Sequence, residues 1–322
     1  MRTFTLPGLA KTPSVLCLGA SEYGSRFTQD ESFALLDAFA QHGGTFADTA
    51  HVYADWLPNG VGASERTVGR WLKSRGMANQ WTIGTKGAHP RLETMHVSRL
   101  NPADIAQDLD ESRERLGLDT IDLYWLHRDD PAVPVGEIVS ALNAHLADGS
   151  IQAIGASNWS TARLQEANAY AAAHALTGFC ASQIAWSLAQ RNTLYDAAQN
   201  TWAMDSEALA WYGKTNLRVI PYASQAGGLF AHLYDESSPR FREYHSPLNR
   251  ERWQRVHHLA ERLDESPNAV ALAYLLNHPR GGIAIVGPHT LPQMADTCRA
   301  AEITLAYGDI LFLEAGDTNV ID

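Results

Sequence analysis

Residues 102–127 read PADIAQDLDESRERLGLDTIDLYWLH, and this stretch contains the repeating plan of the chain. PADIAQDLDESRERLG is an amphipathic helical pattern closed by Gly117, a residue that can take the left-handed conformation just past a helix C-terminus. IDLYWLH (121–127) is a short apolar run ending on a polar residue, the pattern of a buried strand. The same alternation extends outward. Toward the N-terminus, strands are expected at WTIGTK (81–86), TFAD (45–48) and VLCLGA (15–20). Toward the C-terminus they are expected at IQAIGAS (151–157), FCASQI (179–184), LRVIPY (217–222) and GIAIVG (282–287). Between them lie the amphipathic segments ESFALLDAFAQHG, ASERTVGRWLKSRG, GEIVSALNAHLADG and STARLQEANAYAAAH. Eight strands separated by helices predict a closed (β/α)8 TIM barrel rather than an open sheet. RTFTLPGLAKTPSV (2–15) is expected to form a short hairpin over the barrel bottom. No linker, low-complexity tract or repeat divides the chain, so residues 1–322 are read as one domain. Residues 223–250, rich in Gly, Ser, Pro and aromatics, are read as a long loop after strand seven.

The 322 residues are 45% hydrophobic and 19% charged, with net charge -11, and no block of Lys or Arg occurs. That balance excludes binding led by phosphate-backbone neutralisation, so nucleic acid is not an expected partner. Cys17, Cys180 and Cys298 are odd in number and widely spaced, which fits neither a disulfide framework nor a Cys-x-x-Cys zinc site. They read as small buried hydrophobes in a reducing, cytoplasmic setting. The first residues lack an apolar leader pattern, and AVALAYLL (269–276) is too short to cross a bilayer, so a soluble, unprocessed protein is expected.

Reacting groups of such a barrel sit at the carboxyl ends of its strands. Asp48 ends strand two, Lys86 ends strand three and His127 ends strand four; Ser157 and Asn158 follow strand five, and Gln183 lies near the end of strand six. Tyr53 is five residues beyond Asp48, close enough to turn its phenol over the mouth. Reduction of a carbonyl needs a hydride source and a proton donor. A tyrosine can serve as donor if a neighbouring cation lowers its pKa. Lys86 is the candidate cation, Asp48 the carboxylate that keeps it protonated, and His127 the hydrogen-bond donor that polarises the carbonyl.

TFADTAHVYA (45–54), TIGTKG (82–87), LGLDTIDLYWLHRDDP (116–131) and GASNW (155–159) resemble, in order and spacing, signatures of the aldo-keto reductase family. The resemblance covers nearly the whole chain. It implies a barrel that binds an extended nicotinamide dinucleotide without a Rossmann domain and reduces aldehydes or ketones. By that resemblance Tyr53 is the general acid, tuned by Lys86 and Asp48, and His127 orients the substrate. Ser157, Asn158 and Gln183 are implied to hold the nicotinamide carboxamide, and Tyr222, in VIPYASQAGGLF, to stack on its ring. Gly19 is implied at the cofactor site, with Ala223 and Gln225 beside the pyrophosphate. VGPHTLPQMADT (286–297) resembles the adenosine-phosphate segment, placing Gly287, Pro288, His289, Gln293, Asp296 and Thr297 around the adenosine end. The family implies NADP. Many relatives, however, carry Arg or Lys where this chain has Pro288, His289 and Gln293, so NAD is also open. Ala54 stands where relatives often have glycine, a change expected to affect only the loop.

Tyr23 and Trp56 read equally as rim packing or as substrate contacts in an aldehyde, ketone or sugar-like pocket, and loop 54–63 with loop 223–250 is expected to shape it. Trp186 and Trp211 read as core. Ser157 and Asn158 would also serve as a helix cap before STARLQEA. His257 and His258 have no companions for a metal set, so no metal is expected. Two rival readings are a cofactor-bearing regulatory subunit, like the potassium-channel β-subunits of the same family, and a barrel lyase or isomerase without a nicotinamide. Oligomeric state is not encoded in any legible pattern.

Overall fold

The computed structural model describes residues 1–192, 201–232, 234, 235, 237 and 239–316. Its strands are β1 (Leu16–Gly19), β2 (Phe46–Asp48), β3 (Thr82–Gly87), β4 (Ile121–Leu126), β5 (Ile151–Ser157), β6 (Ala181–Gln183), β7 (Arg218–Val219) and β8 (Ala284–Val286). They form one parallel sheet in the order β7-β6-β5-β4-β3-β2-β1-β8. The curled sheet is brought back on itself where the Ile285 N–H donates to the Pro221 carbonyl at 2.9 Å and the Ser224 hydroxyl donates to the Ile285 carbonyl. The result is the expected (β/α)8 barrel. β7 is shorter than the stretch 217–222 because Pro221 has no N–H for the ladder. Extended pairing nonetheless continues through Ile220 to Ser182 at 2.9 Å and Tyr222 to Ile184 at 3.1 Å.

The described α-helices are α1 (Gln29–Gln41), α2 (Ala63–Arg75), α3 (Pro102–Leu116), α4 (Val135–Ala147), α5 (Thr161–Ala173), α6 (Ser206–Tyr212), α7 (Pro247–Leu263), α8 (Pro267–Asn277), α9 (Leu291–Arg299) and α10 (Tyr307–Ala315). Local chemistry sets their ends. Thr28 and Glu31 form a reciprocal capping box that starts α1 ahead of its apolar stripe. Gly76 and Gly117 take left-handed C-terminal positions, as the sequence requires. Ser160, not Ser157 or Asn158, caps α5, through a bond from the Arg163 N–H. The long loop after strand seven also ends earlier than residue 250. It contains short 3-10 turns at Ala226–Ala231 and Pro239–Tyr244, and Ser246 followed by Pro247 then begins α7. α8 carries the apolar run 269–276 and is buried on every side. Among the described residues no helix is long and apolar enough to cross a membrane.

The N-terminal segment forms the expected hairpin, with an antiparallel bridge between Thr3 and Ser14. Leu6 is inserted into the barrel interior, in one apolar cluster with Phe46, Leu123, Trp125, Ala153, Ala181, Ile220 and Ile283. Lys11 fixes the hairpin from below, donating to Asp122 at 2.9 Å and to the Trp81 carbonyl at 2.7 Å. Gly8 passes so close to β5 that a Cβ would lie 2.9 Å from the Gln152 carbonyl oxygen. The barrel bottom is therefore a packed floor. Leu6→Ala is expected to lower the unfolding free energy by about 2–5 kcal/mol. Urea titration checks this; an unchanged midpoint would show that the hairpin does not hold the floor.

Candidate active site

Parallel register brings the polar strand ends into one layer. Gly19 pairs with Asp48, Asp48 with Gly84, Lys86 with Trp125 and Ser157 with Gln183. Alternation along each strand then turns Asp48 and Lys86 inward, where they are 2% and 1% exposed. The three ammonium donors of Lys86 are all used. They reach the Asp48 carboxylate, the Thr49 carbonyl at 2.8 Å and the Tyr53 phenol oxygen at 3.0 Å. Gln183 donates to the other Asp48 oxygen at 3.1 Å. The loop after β2 delivers Tyr53 by extending the ladder, with the His51 N–H bonded to the Lys86 carbonyl at 2.8 Å. Ala54 then turns with φ 75°, the left-handed region that favours glycine, so the departure at this position places real strain on the loop.

Burial alone would depress the Lys86 ammonium, but the Asp48 carboxylate and the Tyr53 phenol raise its pKa above the ordinary lysine value. The Asp48 carboxyl is pushed up by burial and pulled back by Lys86 and Gln183; with Lys86 in contact we take the pair as charged. Tyr53 differs from expectation. Lys86 does lower its pKa, but burial raises it more, so the phenol stays protonated above the ordinary tyrosine value. Burial, with His89 and Lys86 adding to it, holds His127 well below the usual histidine range, so its ring is neutral. Its Nδ1 is buried with no partner among the described residues, which leaves Nε2 as the nitrogen that can reach a ligand.

Several contributors escaped the sequence reading. The His89 and His127 rings meet edge to face with centroids 4.9 Å apart, as do Tyr53 and His127 at 5.7 Å. The turn carrying His89 needs Ala88 at φ 58° and is held by Asp108 of α3, which accepts from the Ala88 N–H at 2.8 Å. Asp108 is gripped in turn by the Arg99 guanidinium at 2.8 and 2.6 Å. An aspartate on the apolar face of PADIAQDLDESRERLG was the available signal.

A cavity of about 540 Å³ opens over this layer. Asp48, Tyr53 and His127 line one part of it, with Gly19, Ser157, Asn158, Gln183 and Tyr222. It continues past Ala223 and Gln225 to Gly287, Pro288, His289, Gln293, Asp296 and Thr297. Lys86 lies behind Tyr53. Arg128, Ser224, Gly228 and Asn268 line the cavity as well and were not foreseen. Tyr23 and Trp56 do not line it: Tyr23 is buried against Phe27, and Trp56 is 56% exposed. Loop 223–250 contributes to the wall, whereas no residue of 54–63 does.

The lining suits a long, polar-ended ligand such as a dinucleotide. Asn158, at φ 58°, accepts from the Tyr222 hydroxyl at 2.8 Å and donates to Ser157 at 3.2 Å. Gln225 donates to Asn268 at 3.2 Å and to Thr297 at 3.1 Å, bracing the far end. A Cβ at Gly287 would meet nothing within 4 Å, so its backbone borders open space into which a ligand fits. Burial pushes the Cys180 and Cys298 thiols up to about 12, and Cys17 is raised as well, so all three are poor nucleophiles. Among the described residues no group of His, Cys, Asp or Glu is placed to hold a metal ion.

The family model described as Aldo/keto reductase family matches residues 15–312. The uncharacterized oxidoreductase YrpG of Bacillus subtilis is 29% identical, covering 91% of this chain and 88% of its own. The norsolorinic acid reductase stcV of Emericella nidulans is 26% identical, covering 96% of this chain and 79% of its own. The aldo-keto reductase YhdN of Bacillus subtilis is 27% identical over 86% of this chain and 80% of its own.

A neutral buried His127 has a consequence for stability. Its folded pKa lies below the unfolded value of 6.5, so under acid only the unfolded chain takes up the proton. Stability is lost as pH falls below that value, by about 1.4 kcal/mol per pH unit for one such proton. His127→Gln is expected to flatten the dependence of unfolding free energy between pH 5 and 7. Parallel curves for the two proteins would mean that His127 titrates normally.

Proposed function

The chain belongs to the aldo/keto reductase family, and from that premise we propose that it moves hydride reversibly between NADP(H) or NAD(H) and a carbonyl or alcohol, an aldehyde, ketone or sugar-like compound. The observation that carries the reading is the Lys86 ammonium bonded at once to Asp48, to the Thr49 carbonyl and to the Tyr53 phenol at the wall of the cavity. When bound, the nicotinamide supplies the hydride to the carbonyl carbon, or accepts it in reverse.

The oxygen of the carbonyl gains charge as its carbon is reduced. Tyr53, neutral at working pH, gives that oxygen its proton, and Lys86 stabilises the phenolate left behind. In the oxidative direction the phenolate takes the alcohol proton back. His127, also neutral, donates from Nε2 to the same oxygen, so the substrate oxygen is held by two donors. Asp48 keeps Lys86 charged and is itself held by Gln183. In this reading Ser157, Asn158 and Gln183 hold the carboxamide and Tyr222 stacks on the ring, its hydroxyl steadied by Asn158. Gly19 borders the same cofactor, and the backbone at Ala223 and Gln225 lies beside the pyrophosphate. Gly287, His289, Gln293, Asp296 and Thr297 surround the adenosine end. We place the protein in the cytoplasm, where Cys17, Cys180 and Cys298 remain free thiols.

Tyr53→Phe is expected to bind nucleotide within about threefold of the native protein while turnover falls by about 10²–10⁴. Nucleotide titration and a steady-state assay with a panel of aldehydes, ketones and sugars make the comparison. Unchanged turnover would remove Tyr53 from the reaction.

A further inference from the structure

If the nicotinamide must reach Tyr53 and His127, the opposite end of the cavity receives the adenosine half. That end is bordered by Pro288, His289, Gln293, Asp296 and Asn268. Among the described residues lining the cavity, Arg128 at the reaction end is the one arginine, and no lysine appears. At the far end the His289 Nε2 faces the Glu22 carboxylate at 3.2 Å. Glu22 also holds the Arg26 guanidinium, on its other oxygen at 3.0 Å, and Arg299 is paired with Glu265 and Glu302. Two backbone donors around the start of α9 are also taken. The His289 N–H is bonded to the Gln293 side chain at 2.8 Å, and the Gln293 N–H to Thr290 at 3.3 Å.

Asp296 is fixed there as an acceptor by the Ser266 hydroxyl and, at 2.7 Å, by the Asn268 amide. A carboxylate so held can accept from a ribose hydroxyl. A phosphate on that hydroxyl would instead meet the Asp296 carboxylate, with His289 already engaged by Glu22. We infer that the far end of this cavity selects the unphosphorylated nucleotide, NAD(H) over NADP(H), with Asp296 accepting from the adenosine ribose and Glu22 occupying His289. The inference rests on the reductase reading and sets the cofactor of that same site.

The test is binding. Quenching of the nine tryptophans is followed as NADH or NADPH is added to the free protein, and NADH is then displaced with 5′-AMP or 2′,5′-ADP. NADH is expected to bind about tenfold or more tighter than NADPH, with 5′-AMP the better competitor. The double variant Glu22→Gln, Gln293→Arg, which releases His289 and Arg26 from the carboxylate and adds a guanidinium, is expected to tighten NADPH about tenfold and to reverse the order of the competitors. Equal or tighter NADPH binding by the native protein, or no gain in the variant, overturns the inference and leaves the reductase reading standing. Binding of neither nucleotide would remove both.

Discussion

A lysine ammonium 1% exposed at the centre of the barrel mouth constrains everything around it. Such a group stays charged only if its three donors are satisfied and a carboxylate lies within reach. Here that demand is met from two neighbouring strands and one loop: Asp48 at the end of β2, Lys86 near the end of β3, and the Thr49 carbonyl and Tyr53 phenol beyond Asp48. Gln183 of β6 completes the Asp48 shell from across the barrel. The layer beneath is shaped to match. Trp125 fills the interior, and a Cβ at Gly155 would stand 2.3 Å from its ring, so the barrel closes there only with glycine on β5. Packing below and charge pairing above thus fix one position for the cation, and the phenol is held by it.

Sequence pattern revealed this much because a parallel barrel projects its strand ends onto one rim. A polar residue ending an apolar run has a predictable destination, and Asp48, Lys86, His127, Ser157 and Gln183 all arrive there. What stayed hidden depends on contacts between elements far apart in sequence. Asp108 looks like one more charge on α3 until the turn at Ala88 needs an acceptor. Asn268, within α8, reaches the cavity because α8 packs beside the strand-eight region and Gln225 bends toward it. Tyr23 and Trp56 show the opposite limit. Both follow strands on the correct rim, yet one packs inward against Phe27 and the other faces solvent, a difference set by loop conformation that aromatic character does not encode.

The two ends of the barrel divide stability from chemistry, and the backbone records the division. Among the described residues, eight that are not glycine take positive φ, and Ala54, Asn59, Ala88, Asn158, Ala223 and Ala226 lie on loops that follow strands. Each such residue costs on the order of 1–2 kcal/mol and persists only where its surroundings over-determine it. Asn158 is held through Tyr222 and Ser157, and Ala88 through Asp108 and its Arg99 clamp. At the other end the floor made by Leu6, Gly8 and Lys11 carries no functional group, and its contacts are apolar packing and hydrogen bonds to the β-strand region. A barrel whose reactive rim is strained needs that stability from elsewhere. The N-terminal hairpin, none of whose residues lines the cavity, seals the bottom.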